Sequence, residues 1–442
     1  MNRTTHTNVI LPTSSPSSRM QAMYTSSRDS LPRSTRCETW QNPSTRLSEL
    51  PTSSRPTSVA RPFQSGKKAI QPRQQTRLSA KEEANNNSPL RSIFLPDTYD
   101  QTSPNTLPTL FTIHGGGFCI GDIRGDDEWN RTFANGQNIL VVALNYSNAP
   151  ENPFPTAVHD VAALLHAVLA DESLPIDRTP RAEQHNNNRS RTAILGFSAG
   201  GNLALSVSQL PSVRGHPYGP EGAISCYGYL DMSIRPQDKL PNRPWKPSLS
   251  PPRNATTQPL TSLAPAFDWS YIPYGQNLRD PLLSPYYAPR ETLPPFVGVV
   301  AAELDTMAHE SWRFACRLAQ EGVAASFGTG NNATAAVNLR QVPDRMSEDP
   351  QWRVCGRETV GRVGELTGVG PEDRDERFAF EENWDTGGVK WLLVPDVMHG
   401  FDNPTYRWAI GGGKETIEDA EMKAEACRVE LGRWLRETVW CL

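Results

Sequence analysis

The stretch Thr192–Leu205, TAILGFSAGGNLAL, decides how the rest of the chain is read. Thr192–Gly196 is apolar, and Gly200–Gln209 opens an Ala- and Leu-rich stretch of helical character. Between them, Gly196-Phe197-Ser198-Ala199-Gly200 is a GxSxG pattern. A turn this sharp from strand into helix forces its central residue into strained dihedrals, and small flanking residues let the two backbones pass. It also aims the Ser198 hydroxyl above the strand end, at a helix N-terminus, where developing negative charge is favoured. Alone, the pattern is equally a glycine-rich turn; the strand–turn–helix setting makes Ser198 a candidate nucleophile.

The flanking sequence repeats the same alternation. Arg91–Leu95, Pro108–His114, Ile139–Leu144, Ala223–Tyr229, Phe296–Ala301 and Lys390–Pro395 read as strands. Ile139–Leu144 (ILVVAL) is the continuous apolar run of a parallel strand buried on both faces. Ala157–Leu169 and Lys414–Glu437 read as helices, and Arg181–Arg191 as an exposed polar loop. Strand–helix alternation predicts an α/β fold: an open, mostly parallel sheet with helices on both faces.

Composition separates a further piece. Proline is 39 of 442 residues, and the formal net charge of −4 hides an uneven distribution. Residues 1–88 carry 13 Lys/Arg against 5 Asp/Glu, the remainder 31 against 43, and Ser, Thr and Pro fill 34 of the first 80 positions. Such a segment buries too little apolar surface to offset its ordering entropy, so 1–88 is expected to be a disordered basic tail and 89–442 the folded domain. Two stretches interrupt that domain: the Pro-rich Ile234–Pro265, and the polar Phe327–Gly388, expected to be a surface excursion.

Several classes are excluded. No apolar run nears the ~18 residues of a membrane span, and the N-terminus has no apolar signal region. The seven cysteines are scattered without CxxC pairing, which argues against zinc or a disulfide framework and for a reducing, cytoplasmic setting. The basic, Ser-rich arm has some of the composition of a mitochondrial transit peptide, but Asp29, Glu38 and Glu49 argue against it. Without interleaved aromatics the arm is not expected to bind nucleic acid. Oligomeric state is not legible.

Around Ser198, further chemistry can be assigned. His114-Gly115-Gly116-Gly117 follows a strand, and consecutive glycines can turn their N–H groups toward an oxyanion without side-chain clash. Gly115 and Gly116 are the expected donors, with the Ala199 N–H as the third, and Gly117, Gly196 and Gly200 as structural members of the motifs. His114 is expected to hold the loop. A serine nucleophile needs a base. Of eight histidines, His6 falls in the tail, His159 and His166 in a helix, and His185 and His216 in polar loops; His309 starts a helix. His399, in Met398-His399-Gly400-Phe401, directly follows the last strand and is the candidate. Glu303 and Asp305 both follow strand Phe296–Ala301; Asp305, further beyond it, is chosen as the acid. Cys119 beside the glycines has no base near it in sequence and is not expected to be a nucleophile.

The motifs HGGGF (114–118), NYSNAPENPFPTAVHD (145–160), GFSAGGNLAL (196–205), DPLLSP (280–285), ELDTMAHE (303–310) and MHGF (398–401) together resemble the hormone-sensitive-lipase-like branch of the α/β-hydrolases. The resemblance covers about 89–442. It implies a serine esterase with Ser198, Asp305 and His399 as triad, no cofactor, no metal, a small-molecule ester as substrate, and a lid, here 234–280. Trp245, Phe267, Trp269, Tyr271 and Tyr274 would offer that lid's aromatic surface, for substrate or for packing. The chain departs from the family's pattern in several places. Phe197 stands where an acidic residue is usual, and His309-Glu310 replaces an Asp-Glu pair. An insertion spans 327–388, and the polar tail shows no lid-building helices. Amide, formamide or lactone cleavage on the same residues is the alternative within catalysis. Outside it stand a non-catalytic small-ligand receptor and an interaction protein acting through the tail.

Overall fold

Six parallel strands form the middle of one eight-stranded sheet, and an antiparallel strand closes each edge. The computed structural model describes residues 90–180, 189–327, 379–410 and 412–442, all within one compact unit, Gln71–Leu442. The tail 1–88, residues 181–188 of the polar loop and 328–378 of the second insertion lie outside the described residues. The strands are β1 (Arg91–Phe94), β2 (Thr109–Ile113), β3 (Leu140–Leu144), β4 (Thr192–Phe197), β5 (Gly222–Cys226), β6 (Phe296–Ala302), β7 (Ala379–Trp384) and β8 (Gly387–Val394), in the order β1-β3-β2-β4-β5-β6-β8-β7. Six helices matter below: α1 (Asp127–Gln137), α2 (Thr156–Ala170), α3 (Ala199–Ser208), α4 (Pro259–Tyr271), α5 (Ala308–Phe327) and α6 (Lys414–Trp434).

The unbroken apolar runs follow from burial on both faces. Successive side chains in a strand point to opposite sides. Phe111, Val142 and Ile194 accordingly pack with Val161, Leu165 and Leu203 of α2 and α3. Their neighbours Leu110, Val141 and Leu195 pack on the other face with Phe133 of α1 and with Leu431 and Trp434 of α6. The register brings the C-terminal ends level: Ile113 pairs with Gly196, Phe197 with Cys226 and Ala302 with Val394. The loops that leave these ends therefore share one edge of the sheet, where an open α/β sheet binds its ligands.

The second interruption differs in part from its sequence reading. The last residues of 327–388 are part of the sheet: β7 and β8 form a hairpin closed by Asp385 and Thr386. Glu381, Glu382 and Asn383 disguise β7 as surface, yet Phe380 is buried 5.9 Å from Trp312 of α5, and Trp384 packs over Gly322 of the same helix. The Pro-rich 234–265, read as an insertion, buries several of its polar side chains. Lys239, Arg243, Lys246, Arg253 and Gln258 are all buried, as the next subsection describes.

The turn from β4 into α3 is the tightest feature of the edge. Ser198 sits at φ 53°, ψ −116°, a conformation that costs a non-glycine residue about 1–3 kcal/mol. A Cβ on Gly200 would lie 2.2 Å from the Ile113 carbonyl oxygen, so α3 crosses the end of β2 too closely for any side chain there. Gly200→Val should therefore lower unfolding stability by about 1–3 kcal/mol or more in urea titration; an unchanged midpoint would show that the crossing tolerates a side chain.

Candidate active site

Four loops meet at this edge. The β4–α3 turn presents Ser198, the loop after β6 presents Asp305, the loop after β8 presents His399, and the loop after β2 carries His114–Gly117. His399 Nε2 lies 2.9 Å from Ser198 Oγ, and His399 Nδ1 lies 2.7 Å from Asp305 Oδ2. With Nδ1–H donating to the carboxylate, Nε2 is left to accept from the Ser198 hydroxyl. Asp305 is fully buried. Desolvation alone would raise its pKa, but the His399 imidazole, the Gln258 amide and the Met307 N–H together hold it below the usual carboxylate range. The Tyr227 ring stands edge-on to His399 at 4.8 Å and limits how the imidazole can swing.

The glycine loop faces the same point. Among the described residues, no carbonyl accepts from the N–H groups of Gly115, Gly116 or Ala199. Gly116 has φ 120°, which only glycine adopts readily. The His114 ring places Nδ1 2.7 Å from the Gly115 carbonyl oxygen and Nε2 3.0 Å from the Asn145 side-chain amide. It also stacks on Tyr146 at 4.2 Å, and burial lowers its pKa. His114 thus ties the loop to the segment after β3. Burial pushes the Cys119 thiol up, away from nucleophilic character. Among the described residues, no cluster of three or more His, Cys, Asp or Glu could hold a metal ion, and no helix is long and apolar enough to cross a membrane.

Glu303, the rival for the acid, faces away from His399. Its carboxylate accepts from Lys246 Nζ at 2.7 Å and from the Asp396 N–H at 2.8 Å. Lys246 also donates to Asp396 Oδ1 at 2.6 Å, and all three side chains are buried. Desolvation would lower the Lys246 pKa, but the two carboxylates reverse this and raise it. Glu303 lies two residues before Asp305, and Asp396 three before His399, so one lysine from 234–265 joins the acid loop to the histidine loop. Its neighbours extend the contact. Arg243 Nε donates to the Leu304 carbonyl at 2.8 Å, Arg253 binds Asp419 at 3.0 Å, and Gln258 Nε2 donates to Asp305 Oδ1 at 3.2 Å and Thr306 Oγ1 at 2.8 Å. Sequence reading missed all of these, because charged residues among prolines carry the signal of a surface loop.

The aromatic residues proposed for the lid divide. Trp245, Trp269 and Tyr274 are exposed at the surface, and Tyr271 is buried against Phe118 at 3.8 Å. Phe267 alone of the five lines the cavity beside Ser198, together with Gly117, Phe118, Tyr229, Leu260, Ala264, Asp268 and Met307. His309 is buried in α5, its pKa lowered to about 4 by desolvation, and takes no part in this cavity. Glu310 accepts from the Leu230 N–H at 2.8 Å and pairs with Lys239.

Removing Lys246 would leave two buried carboxylates without their cation. Lys246→Met should lower unfolding stability by about 3–5 kcal/mol in urea titration, whereas Lys414→Met, at an exposed pair, should stay within about 0.5 kcal/mol. Equal effects of the two would contradict the reading of Lys246 as a buried clamp.

A family model for the alpha/beta hydrolase fold matches residues 110–335, just over half of the 442 residues. Among curated proteins, arylacetamide deacetylase of Oryctolagus cuniculus is 33% identical over 142 residues, 32% of this chain and 33% of that protein. Arylesterase of Saccharolobus solfataricus is 27% identical over 224 residues, 50% of this chain and 66% of that protein. The match thus spans a third to just under two thirds of these relatives' length. Among solved structures, the Pyrobaculum calidifontis esterase superposes with a TM-score of 0.51 at 19% identity, covering 79% of this chain and 81% of that one, a likeness of fold. The sheet order, the serine turn between β4 and α3 and the extent of the model match agree, and the chain belongs to the alpha/beta hydrolase family.

Proposed function

We propose that the protein hydrolyses carboxylic esters through an acyl-enzyme on Ser198. The observation that carries this reading is the hydrogen-bonded row Ser198–His399–Asp305, at 2.9 and 2.7 Å, beside three N–H groups to which no carbonyl among the described residues is bound. Ser198 Oγ attacks the ester carbonyl while His399 Nε2 takes its proton. His399 then returns that proton to the leaving alcohol, and water repeats the cycle on the acyl-enzyme. Asp305 fixes the imidazole tautomer and stabilises its charged form. The N–H groups of Gly115, Gly116 and Ala199 receive the oxyanion; one such donor is worth about 3 kcal/mol in related chemistry. The chain's own residues supply every step, and no cofactor enters.

Names among the relatives, arylesterase and arylacetamide deacetylase, agree with acyl transfer to water. The second of them makes amide cleavage on the same residues the second reading. Both use one nucleophile and one base, and the leaving group decides between them.

Short-chain p-nitrophenyl esters should be turned over by the full chain. Ser198→Ala and His399→Ala should each lower kcat by about 10⁴-fold or more, with far-ultraviolet circular dichroism unchanged. Asp305→Asn should cost orders of magnitude in kcat. Turnover undiminished in Ser198→Ala, or a larger loss in Glu303→Gln than in Asp305→Asn, would overturn the assignment. Acetanilide against phenyl acetate separates amide from ester preference.

A further inference from the structure

The cavity beside Ser198 is apolar and aromatic over most of its wall: Phe118, Leu260, Ala264, Phe267 and Met307 line it. One carboxylate, that of Asp268 on α4, opens into the same cavity. Its one hydrogen-bonding partner among the described residues is the Tyr229 hydroxyl, which donates to Oδ2 at 3.1 Å. Lys239 lines the same cavity and partly counters the burial of Asp268, but makes its direct contacts elsewhere. Lys239 Nζ donates to the Asp231 carbonyl at 2.7 Å and is ion-paired with Glu310, over the Tyr229 ring at 4.0 Å. No ion pair joins it to Asp268 among the described residues. The Lys239 ammonium thus meets one carboxylate directly, that of Glu310, and acts on Asp268 only through space. Burial raises the Asp268 carboxyl to about 6, against the Tyr229 hydrogen bond and the Lys239 charge, so it is still ionised near neutral pH. An ionised carboxylate in a cavity lined by Phe118 and Phe267 is a combination that recognises an alkylammonium: a charge-assisted hydrogen bond from N–H and an aromatic surface for the alkyl groups.

We infer that Asp268 selects esters that carry a protonated amine on their acyl or alcohol side. The inference rests on the esterase reading for its catalytic half and on the cavity for its binding half. The substrate's ammonium would donate to the Asp268 carboxylate beside the aromatic wall of the cavity, while its ester carbonyl lies at Ser198.

Two isosteric pairs test it. On the alcohol side, 2-(dimethylamino)ethyl acetate is compared with 3-methylbutyl acetate, and on the acyl side methyl 4-(dimethylamino)butanoate with methyl 5-methylhexanoate. kcat/KM is measured at pH 7 for the wild-type chain and for Asp268→Asn, with p-nitrophenyl acetate as the activity control. Binding of the same four compounds to Ser198→Ala, with and without Asp268→Asn, is measured by calorimetry. A charge-assisted hydrogen bond predicts that the wild type prefers the ammonium member of at least one pair by about tenfold or more, and that the ratio falls to near one in Asp268→Asn. Equal use of both members in both pairs, or a preference that survives Asp268→Asn, overturns the inference. If the control ester is not hydrolysed, the esterase reading fails on its own, and the ratio of binding constants still decides the role of Asp268.

Discussion

The crossing of α3 over the end of β2 is the constraint on which the edge depends. Gly200 lets the helix backbone pass the Ile113 carbonyl, and Gly196 leaves no room for a side chain beside Gly200. Ser198 is thereby held at φ 53°, above the sheet and beside the glycine loop that β2 feeds. A serine on an ordinary loop would relax out of that conformation; here the strand pairing on both sides of β4 fixes one end of the turn and the first turn of α3 the other. The strain is local, and the cost is carried by a sheet whose parallel strands are buried on both faces.

Buried charge does the complementary work for the other two loops. Neither the loop after β6 nor that after β8 has regular structure through its functional residue, so position must come from side chains. Lys246 supplies it by binding Glu303 and Asp396 together, and Gln258 adds a direct hydrogen bond to Asp305. Such a cluster gains little net stability over apolar packing, because desolvation of each ion offsets the attraction. What it secures is geometry: three charges with few ways to satisfy one another hold two loops in register. The segment that contributes Lys246 and Gln258 also contributes α4, which walls the cavity, so the cavity wall and the Asp305 and His399 loops are tied through one stretch of chain.

Much of this was legible before any coordinates. The strands, their parallel arrangement and the serine turn follow from contiguous patterns: apolar runs of strand length, and glycines at fixed offsets from Ser198. His399 follows from the same kind of pattern, as the histidine directly beyond the last strand. Asp305 and Glu303 were harder, since both leave the same strand end two residues apart. Lys246, which occupies Glu303, lies more than fifty residues upstream, and no local pattern reveals it. Strand β7 was missed because Glu381, Glu382 and Asn383 mask the alternation of Phe380 and Trp384. The exposed Trp245, Trp269 and Tyr274 were misjudged for the reverse reason, as aromatic composition says nothing about which face of a segment meets the core.

The most direct measurement is active-site titration with a fluorophosphonate, followed by mass spectrometry of the labelled peptides. A nucleophile activated by His399 and Asp305 predicts one phosphonyl group per chain, on Ser198, with labelling slowed by orders of magnitude in Asp305→Asn. Label on another residue, or a chain that stays unmodified while folded, would contradict it.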